Sequence, residues 1–260
     1  MRVQSLGSGS EGNATLVRNG ETHVLIDAGL PLDVLEARLE AARVPASKID
    51  HVVLTHGHLD HARAAGALSR KARATVHCPE AMMQNASIRQ AHALATLPIG
   101  GSAELADARG RDALELTTTP VPHDAHPTVA VRLEANGRRF VLVTDMGRPT
   151  PEVARRLGPA DLLFLEFNHE LELLRSGPYP SKLKRRVAGD QGHLSNAQAA
   201  EVLAGFCHER LHTLVLTHLS ATNNEPGLAR AAAERVLDRH ALDVRLCIAE
   251  QHELGPNLEV

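Results

Sequence analysis

The sequence predicts an α/β protein built as a four-layer αββα sandwich, two β-sheets packed face to face with helices on both outer sides. Three observations carry this. Each half of the chain starts with short apolar strands joined by tight turns and continues with amphipathic helices, the order expected when helices cover sheets. Hydrophobic residues make up 43% of 260, enough for a sizeable core, and with aromatics at 2% that core must rest on Leu, Val, Ile and Ala. No linker, low-complexity segment or close internal repeat interrupts the chain, so residues 1–260 are expected to form one domain.

The elements follow in order. "RVQSL" leads into the Gly/Ser turn "GSGSEGN", then the strand "ATLVR", the turn "NGE" and the strand "THVLIDA". Residues 31–44 carry apolar side chains at helical spacing and stop before Pro45. "IDHVVLT" is an apolar strand, and a helix over residues 59–72 is expected to start directly after it. "ATVHC" is a strand, after which Pro79 should open another helix. In the second half "ALELTTTPV", "TVAVRLEANGRRFVLVTD" and "DLLFLEF" read as strands, the middle one a hairpin turning at Asn136-Gly137. Two helices, over residues 195–210 and 227–240, flank the strand "LHTLVLTHLS".

Composition excludes several functions. The 28 basic and 31 acidic residues give a net charge of −3, so there is no global basic field and any nucleic-acid contact must come from a local patch. With no Trp and one Tyr, base stacking on aromatic platforms is not expected to be a main device. The three cysteines, Cys78, Cys207 and Cys247, are odd in number and sit among apolar neighbours, which argues for reduced core thiols. No apolar run approaches the ~20 residues that span a bilayer. The N-terminus lacks an apolar signal core, so a soluble cytoplasmic protein is expected.

Strand ends repeatedly deliver His or Asp. "HVVLTHGHLDH" ends on His56, His58, Asp60 and His61; "VPHDAH" supplies His123; "RRFVLVTD" ends on Asp145; "LHTLVLTH" ends on His218; "THVLID" ends on Asp27. Loops at one edge of a sheet converge in space, so these groups are expected to meet. His56 and His58, two apart on extended backbone, point the same way and can grip one ion, while Asp60 and His61 can aim at a neighbouring point. Two divalent cations held by N and O ligands are the economical solution, with Zn²⁺ preferred and Mn²⁺ or Fe²⁺ as alternatives.

The motif His56-Gly57-His58-Leu59-Asp60-His61, followed in order by His123, Asp145 and His218, resembles the signature of the metallo-β-lactamase superfamily. "SLGSGSEGNATLV", "GPYPSKLKRRV", "GDQGHLSNAQAAEVL" and "LTHLSATNNEP" look like its YycJ/WalJ-type branch, which is associated with 5′→3′ exonuclease activity on DNA. The resemblance implies that His56, His58 and His123 hold one metal, that Asp60, His61 and His218 hold the second, and that Asp145 bridges them. It makes Asp27 a carboxylate supporting a ligand. Asp60 and His193 become the expected catalytic residues, His193 resembling the extra histidine of phosphodiesterase branches. His169, in "EFNHE", is a candidate for supporting a ligand, and Asn168 for lining the site. Glu170 stands where the branch usually has Asp.

A bridging hydroxide activated by two metals is then the expected nucleophile. DNA or RNA is the expected partner, reached through the basic run "SKLKRR" with Lys184, Arg185 and Arg186 contacting phosphates, although such runs are often solvated helix faces. The turn "LGSGSEGN" is expected to bring Ser8, Ser10 and Asn13 near the metal cleft and its substrate. The same fold would also allow a small-molecule phosphodiesterase, a thioester or lactone hydrolase, or a non-catalytic scaffold. The scaffold is disfavoured because every ligand is present. Oligomeric state is open.

Overall fold

The structure is a computed structural model that describes residues 1–260. Its fourteen strands form two seven-stranded mixed sheets. The first contains β1 (Arg2–Gly7), β2 (Ala14–Asn19), β3 (Thr22–Ile26), β4 (His51–Val53), β5 (Thr75–Cys78), β6 (Ala93–Thr96) and β14 (Leu258–Glu259), in the order β14-β1-β2-β3-β4-β5-β6. The second contains β7 (Ser102–Leu105), β8 (Leu114–Val121), β9 (Thr128–Ala135), β10 (Arg138–Val143), β11 (Leu162–Glu166), β12 (Thr213–Thr217) and β13 (Arg245–Ile248), in reverse sequence order. The helices are α1 (Leu32–Ala41), α2 (Leu59–Ala62), α3 (Ala65–Ala72), α4 (Pro151–Leu157), α5 (Leu171–Ser176), α6 (Ser181–Val187), α7 (Asn196–Phe206) and α8 (Pro226–Arg239).

Strand alternation builds three cores and so four layers. In β10, Phe140 and Leu142 face the first sheet, where they join Val24 and Ile26 of β3, while Val141 and Val143 face outward under α4, α7 and α8. In β3, Leu25 points the other way, into the core beneath α1 and α3. A side-chain period of two lets one strand feed both cores. This is the four-layer sandwich that the sequence predicts. The β9–β10 hairpin turns at Asn136 (φ 52°) and Gly137 (φ 71°), the left-handed pair that a tight two-residue turn requires.

Within each sheet an antiparallel half gives way to a parallel one. β3, β4, β5 and β6 run parallel, as do β10, β11, β12 and β13. Parallel strands put their carboxyl ends at one edge, and the loops leaving that edge are where α/β folds assemble sites. Asp27, the His56–His61 segment, Asp145, Glu166 and His218 all leave from it.

Some expectations need correction. The expected helix 59–72 is two helices, because its first turn is hydrogen-bonded to the neighbouring loops. The carbonyls of Asp60 and His61 accept from the N–H groups of Asn13 (2.8 Å) and Ala28 (2.7 Å), and the Ala64 N–H donates to the Ala28 carbonyl (2.8 Å). After Pro79 there is only a single 3₁₀ turn, Glu80–Met82. The strands β6, β7, β13 and β14 are additions to the expected set. They lie toward the outer parts of the sheets and are partly exposed, so they lack the continuous apolar pattern that marks a buried strand.

Close backbone approach at the α2 turn explains Gly29. Its N–H donates to the Asn13 carbonyl at 2.9 Å, and a Cβ there would overlap the Asp60 carbonyl. Gly29→Ala should therefore cost at least ~2 kcal/mol in urea unfolding, since two main chains must part. Gly227→Ala, in α8 with open space around it, should be neutral or stabilising by up to ~1 kcal/mol. Equal effects for the two variants would refute the close-approach account.

Candidate metal centre

Three residues of the centre sit at strand ends with left-handed backbone: Asp27 (φ 60°), Asp145 (φ 55°) and His218 (φ 55°). Non-glycine residues adopt this region at a cost of roughly 1–3 kcal/mol each, and it recurs where surrounding contacts over-determine a functional side chain. The turn lets the chain leave the sheet abruptly while aiming the side chain across its edge. Asp60 and His61 are aimed differently, by the single helical turn α2.

The histidines converge, each with one ring nitrogen held by a neighbouring group. His61 Nδ1 donates to Asp27 Oδ2 at 2.8 Å. His218 Nδ1 donates to Glu166 Oε1 at 3.0 Å, and His123 Nδ1 to the Gly192 carbonyl at 2.9 Å. Thr55 Oγ1 donates to the Asp27 carboxylate and lies 3.1 Å from His56 Nδ1. His58 Nε2 lies 3.4 Å from Asp124 Oδ1, which leaves Nδ1 facing His123 Nε2 at 3.4 Å. A carboxylate or carbonyl on one ring nitrogen sets the tautomer and presents the other as a lone pair, the usual support of a metal-binding histidine.

The fit to a metal is direct. His56 Nε2 and His218 Nε2 are buried and have no hydrogen-bond partner, a costly arrangement unless a cation occupies that side. Four metal-competent groups overlap here: His56, His58 and His123; Asp60, His61 and His218; His56, His61 and Asp145; and Asp145, Glu166, His193 and His218. Asp145 lies among them, with Oδ2 at 3.2 Å from His61 Nε2 and Oδ1 at 3.8 Å from His123 Nε2. Thr144 Oγ1 donates to Asp145 Oδ2 at 2.6 Å and fixes the carboxylate.

Burial opposes charge on His61, but Asp145 and Asp27 outweigh it and raise its pKa to about 9. His218 is likewise raised, against burial, by Asp145, Asp60 and Glu166. Glu166 is pushed up by burial and pulled down further by His193 and His218, to about 2.

Glu166 is the residue that sequence reasoning missed. Its Oε1 accepts from His193 Nδ1 (2.8 Å) and His218 Nδ1, and its Oε2 from the N–H groups of Met146 (3.0 Å) and Leu194 (3.3 Å). Both oxygens thus accept hydrogen bonds, and Glu166 also falls within one metal-competent group with Asp145, His193 and His218. The signal is present in the sequence: Glu166 is a charge ending an apolar strand, like Asp27 and Asp145. Asp124 was missed too. It sits beside His58 and His123 and accepts from Arg186 Nε at 2.5 Å.

The other expected residues divide. His193, Asn168 and Arg186 line the cleft with Asp60, His123 and His218. Asn168 also donates to the His218 carbonyl at 2.9 Å. Of the turn residues expected near substrate, Ser10 lines the cleft, whereas Ser8 and Asn13 back the neighbouring loops. The Ser8 hydroxyl accepts from the His218 N–H at 2.8 Å, and the Asn13 amide lies 3.0 Å from His61 Nε2. His169 is buried outside the cleft, its pKa lowered to about 4 by burial. Glu170 faces away, accepting from Leu171 N–H and Asn196 Nδ2. Lys184 Nζ donates to the Arg175 carbonyl, and of the basic run only Arg186 lines the cleft.

Two facing mixed sheets with a histidine–carboxylate centre at their common edge define a metal-dependent hydrolase of the metallo-β-lactamase fold, a fold that implies bound divalent metal. The sequence profile described as "Beta-lactamase superfamily domain" matches residues 22–219, and the chain belongs to that family, in the branch of the two relatives that follow. It is 31% identical over 255 residues to the exodeoxyribonuclease YycJ of Bacillus anthracis, covering 97% of this chain and 95% of the relative. It is 30% identical over 226 residues to the exodeoxyribonuclease WalJ of Streptococcus pneumoniae, covering 86% and 83%. Among solved structures, the metallo-β-lactamase fold protein YhfI of Bacillus subtilis superposes with a TM-score of 0.71 at 20% identity, over 99% of both chains. No helix is long and apolar enough to cross a membrane.

Asp27→Asn keeps the shape but weakens the acceptor that orients His61. The variant should bind metal ~10–100-fold less tightly in competition with a chelator, while its metal-free far-UV spectrum stays that of the wild type. Unchanged affinity would mean that His61 needs no such support.

Proposed function

We propose that this chain is a dinuclear metal-dependent phosphodiesterase that degrades DNA from the 5′ end. The observation that carries the reading is the shared cleft: His193, held by a buried carboxylate, and Arg186 line it together with the ligand residues Asp60, His123 and His218. Two relatives that are named exodeoxyribonucleases support the substrate class, and the 5′→3′ direction follows from the branch resemblance. His56, His58 and His123 would hold one cation, Asp60, His61 and His218 the other, with Asp145 between. The nitrogen-and-carboxylate donor set favours Zn²⁺, with Mn²⁺ or Fe²⁺ as alternatives. When bound, such cations supply Lewis acidity and lower the pKa of a coordinated water toward ~7.

The chain's own groups do the rest. Glu166 takes the Nδ1 proton of His193 as a hydrogen bond, so Nε2 is the nitrogen left to the cleft. From there an imidazolium can donate to a phosphoryl oxygen or give a proton to the leaving oxygen. Arg186, fixed by Asp124, offers a cation to a phosphate at the same cleft. A thioester or lactone would need neither group.

The deciding experiment treats metal-stripped and reloaded protein with 5′- and 3′-labelled DNA, RNA and bis-p-nitrophenyl phosphate. Stepwise release from the 5′ end of DNA is expected. Hydrolysis of the small diester with both polymers untouched would transfer the reading to a small-molecule phosphodiesterase.

His193→Ala should keep its metals yet lose ~10²-fold or more in DNA turnover, the usual scale for a general acid or transition-state donor. The loss should shrink for bis-p-nitrophenyl phosphate, whose leaving group hardly needs protonation. An equal loss on both substrates would rule out leaving-group protonation.

Replacing Lys184, Arg185 and Arg186 together by Ala should weaken DNA binding and flatten its salt dependence, by about 0.7–0.9 in log–log slope for each phosphate that is no longer neutralised. Given the geometry, Arg186→Ala alone should account for most of the change. A triple variant with an unaltered slope would make the run a solvated face.

A further inference from the structure

Four of the five aromatic residues, Phe140, Phe164, Phe167 and Phe206, are buried in the cores. The fifth, Tyr179, lines the catalytic cleft. It stands just before α6, and Leu183 and Val187, spaced four apart along that helix, line the same cleft. Residues at this spacing share one helix face. The rest of the cleft is lined by polar residues, metal ligands and Gly192, so these three supply its apolar side chains. No residue of α6 is buried, so the stripe serves no core. The same helix carries Arg186, tied to Asp124 beside His58 and His123.

One short helix thus presents an apolar strip ending in an aromatic ring next to a cation and the metal ligands. A nucleotide offers the matching pair, a flat base joined to an anionic phosphate. We propose that Tyr179, with Leu183 and Val187, forms a base-binding wall, on which Tyr179 stacks the nucleobase of the nucleotide whose phosphate lies at the metal ligands. The proposal deepens the nuclease reading and rests on it. It also revises the expectation from composition: a chain nearly without aromatics spends its one non-core ring at this place.

The chain has one Tyr and no Trp, so tyrosine emission reports this residue alone. The metal-loaded protein is titrated with a phosphorothioate oligodeoxynucleotide, binding being followed separately by anisotropy of a labelled strand. Tyrosine emission should be quenched as the strand binds. Binding without any change in emission would overturn the proposal. In the activity arm, oligonucleotides with an abasic residue first or second from the 5′ end are compared with intact ones. The wild type should prefer the intact strand by about tenfold or more, chiefly in KM, the scale of one stacked base. Tyr179→Ala should erase the preference and Tyr179→Phe should keep it. If the wild type cuts intact and abasic strands equally, or Tyr179→Ala retains the preference, the wall is not a base site and the nuclease reading stands. If the loaded wild type cuts no polynucleotide, the nuclease reading falls and this inference with it.

Discussion

The arrangement depends on two buried carboxylates, one at the end of a strand in each sheet. Asp27 follows β3 and accepts from the Thr55 N–H (2.8 Å), the Thr55 hydroxyl and His61 Nδ1. Glu166 ends β11 and accepts from two histidines and two main-chain N–H groups. A buried carboxylate is tolerated only when its oxygens are matched by donors. Here the matching donors are His61, His193 and His218, the Thr55 hydroxyl and the main-chain N–H groups of Thr55, Met146 and Leu194. Desolvation therefore enforces the centre: turning any of these rings away would leave a charge uncompensated.

The same logic extends to the backbone. The α2 turn carrying Asp60 and His61 has no core of its own to hold it. Its carbonyls are taken by Asn13 and Ala28, and Gly29 permits the approach. Three loops are thereby fastened into one body, which holds Asp60 and His61 against the strand ends. The left-handed residues Asp27, Asp145 and His218 show where local conformational preference has yielded to that requirement.

Much of this was legible in the sequence, for a physical reason. Among the strands that feed the centre, β3 and β12 are buried along nearly their whole length and β10 over its last four residues, so each reads as an apolar run that stops abruptly at a polar residue. Ligand candidates are those stopping points. Glu166 obeys the same pattern at the end of β11, but it stands alone, with no second ligand-type residue at the two-residue spacing of His56 and His58 to mark it. The splitting of 59–72 into α2 and α3 was not legible, because helical spacing continues through the break and only partners distant in sequence divert the hydrogen bonds. The roles of Ser8 and Asn13 were equally hidden. Small polar residues in a turn look alike whether they face a substrate or the back of a ligand loop, and the His218 N–H that Ser8 meets lies at the far end of the chain.

Position in the fold also separates the chemistry from its selectivity. Asp145, Glu166 and His218 lie at strand ends of the double sheet, whereas Tyr179, Leu183 and Arg186 belong to a segment with no buried side chain. The sheet edge must hold its geometry against the repulsion and desolvation of many charged groups, so it tolerates little change. The α6 segment rests on the rim through contacts such as Arg186 to Asp124 and Lys184 to the Arg175 carbonyl, and substitutions there cost the core nothing. A fold that keeps one hydrolytic centre can in this way be fitted to different esters by altering a single exposed helix.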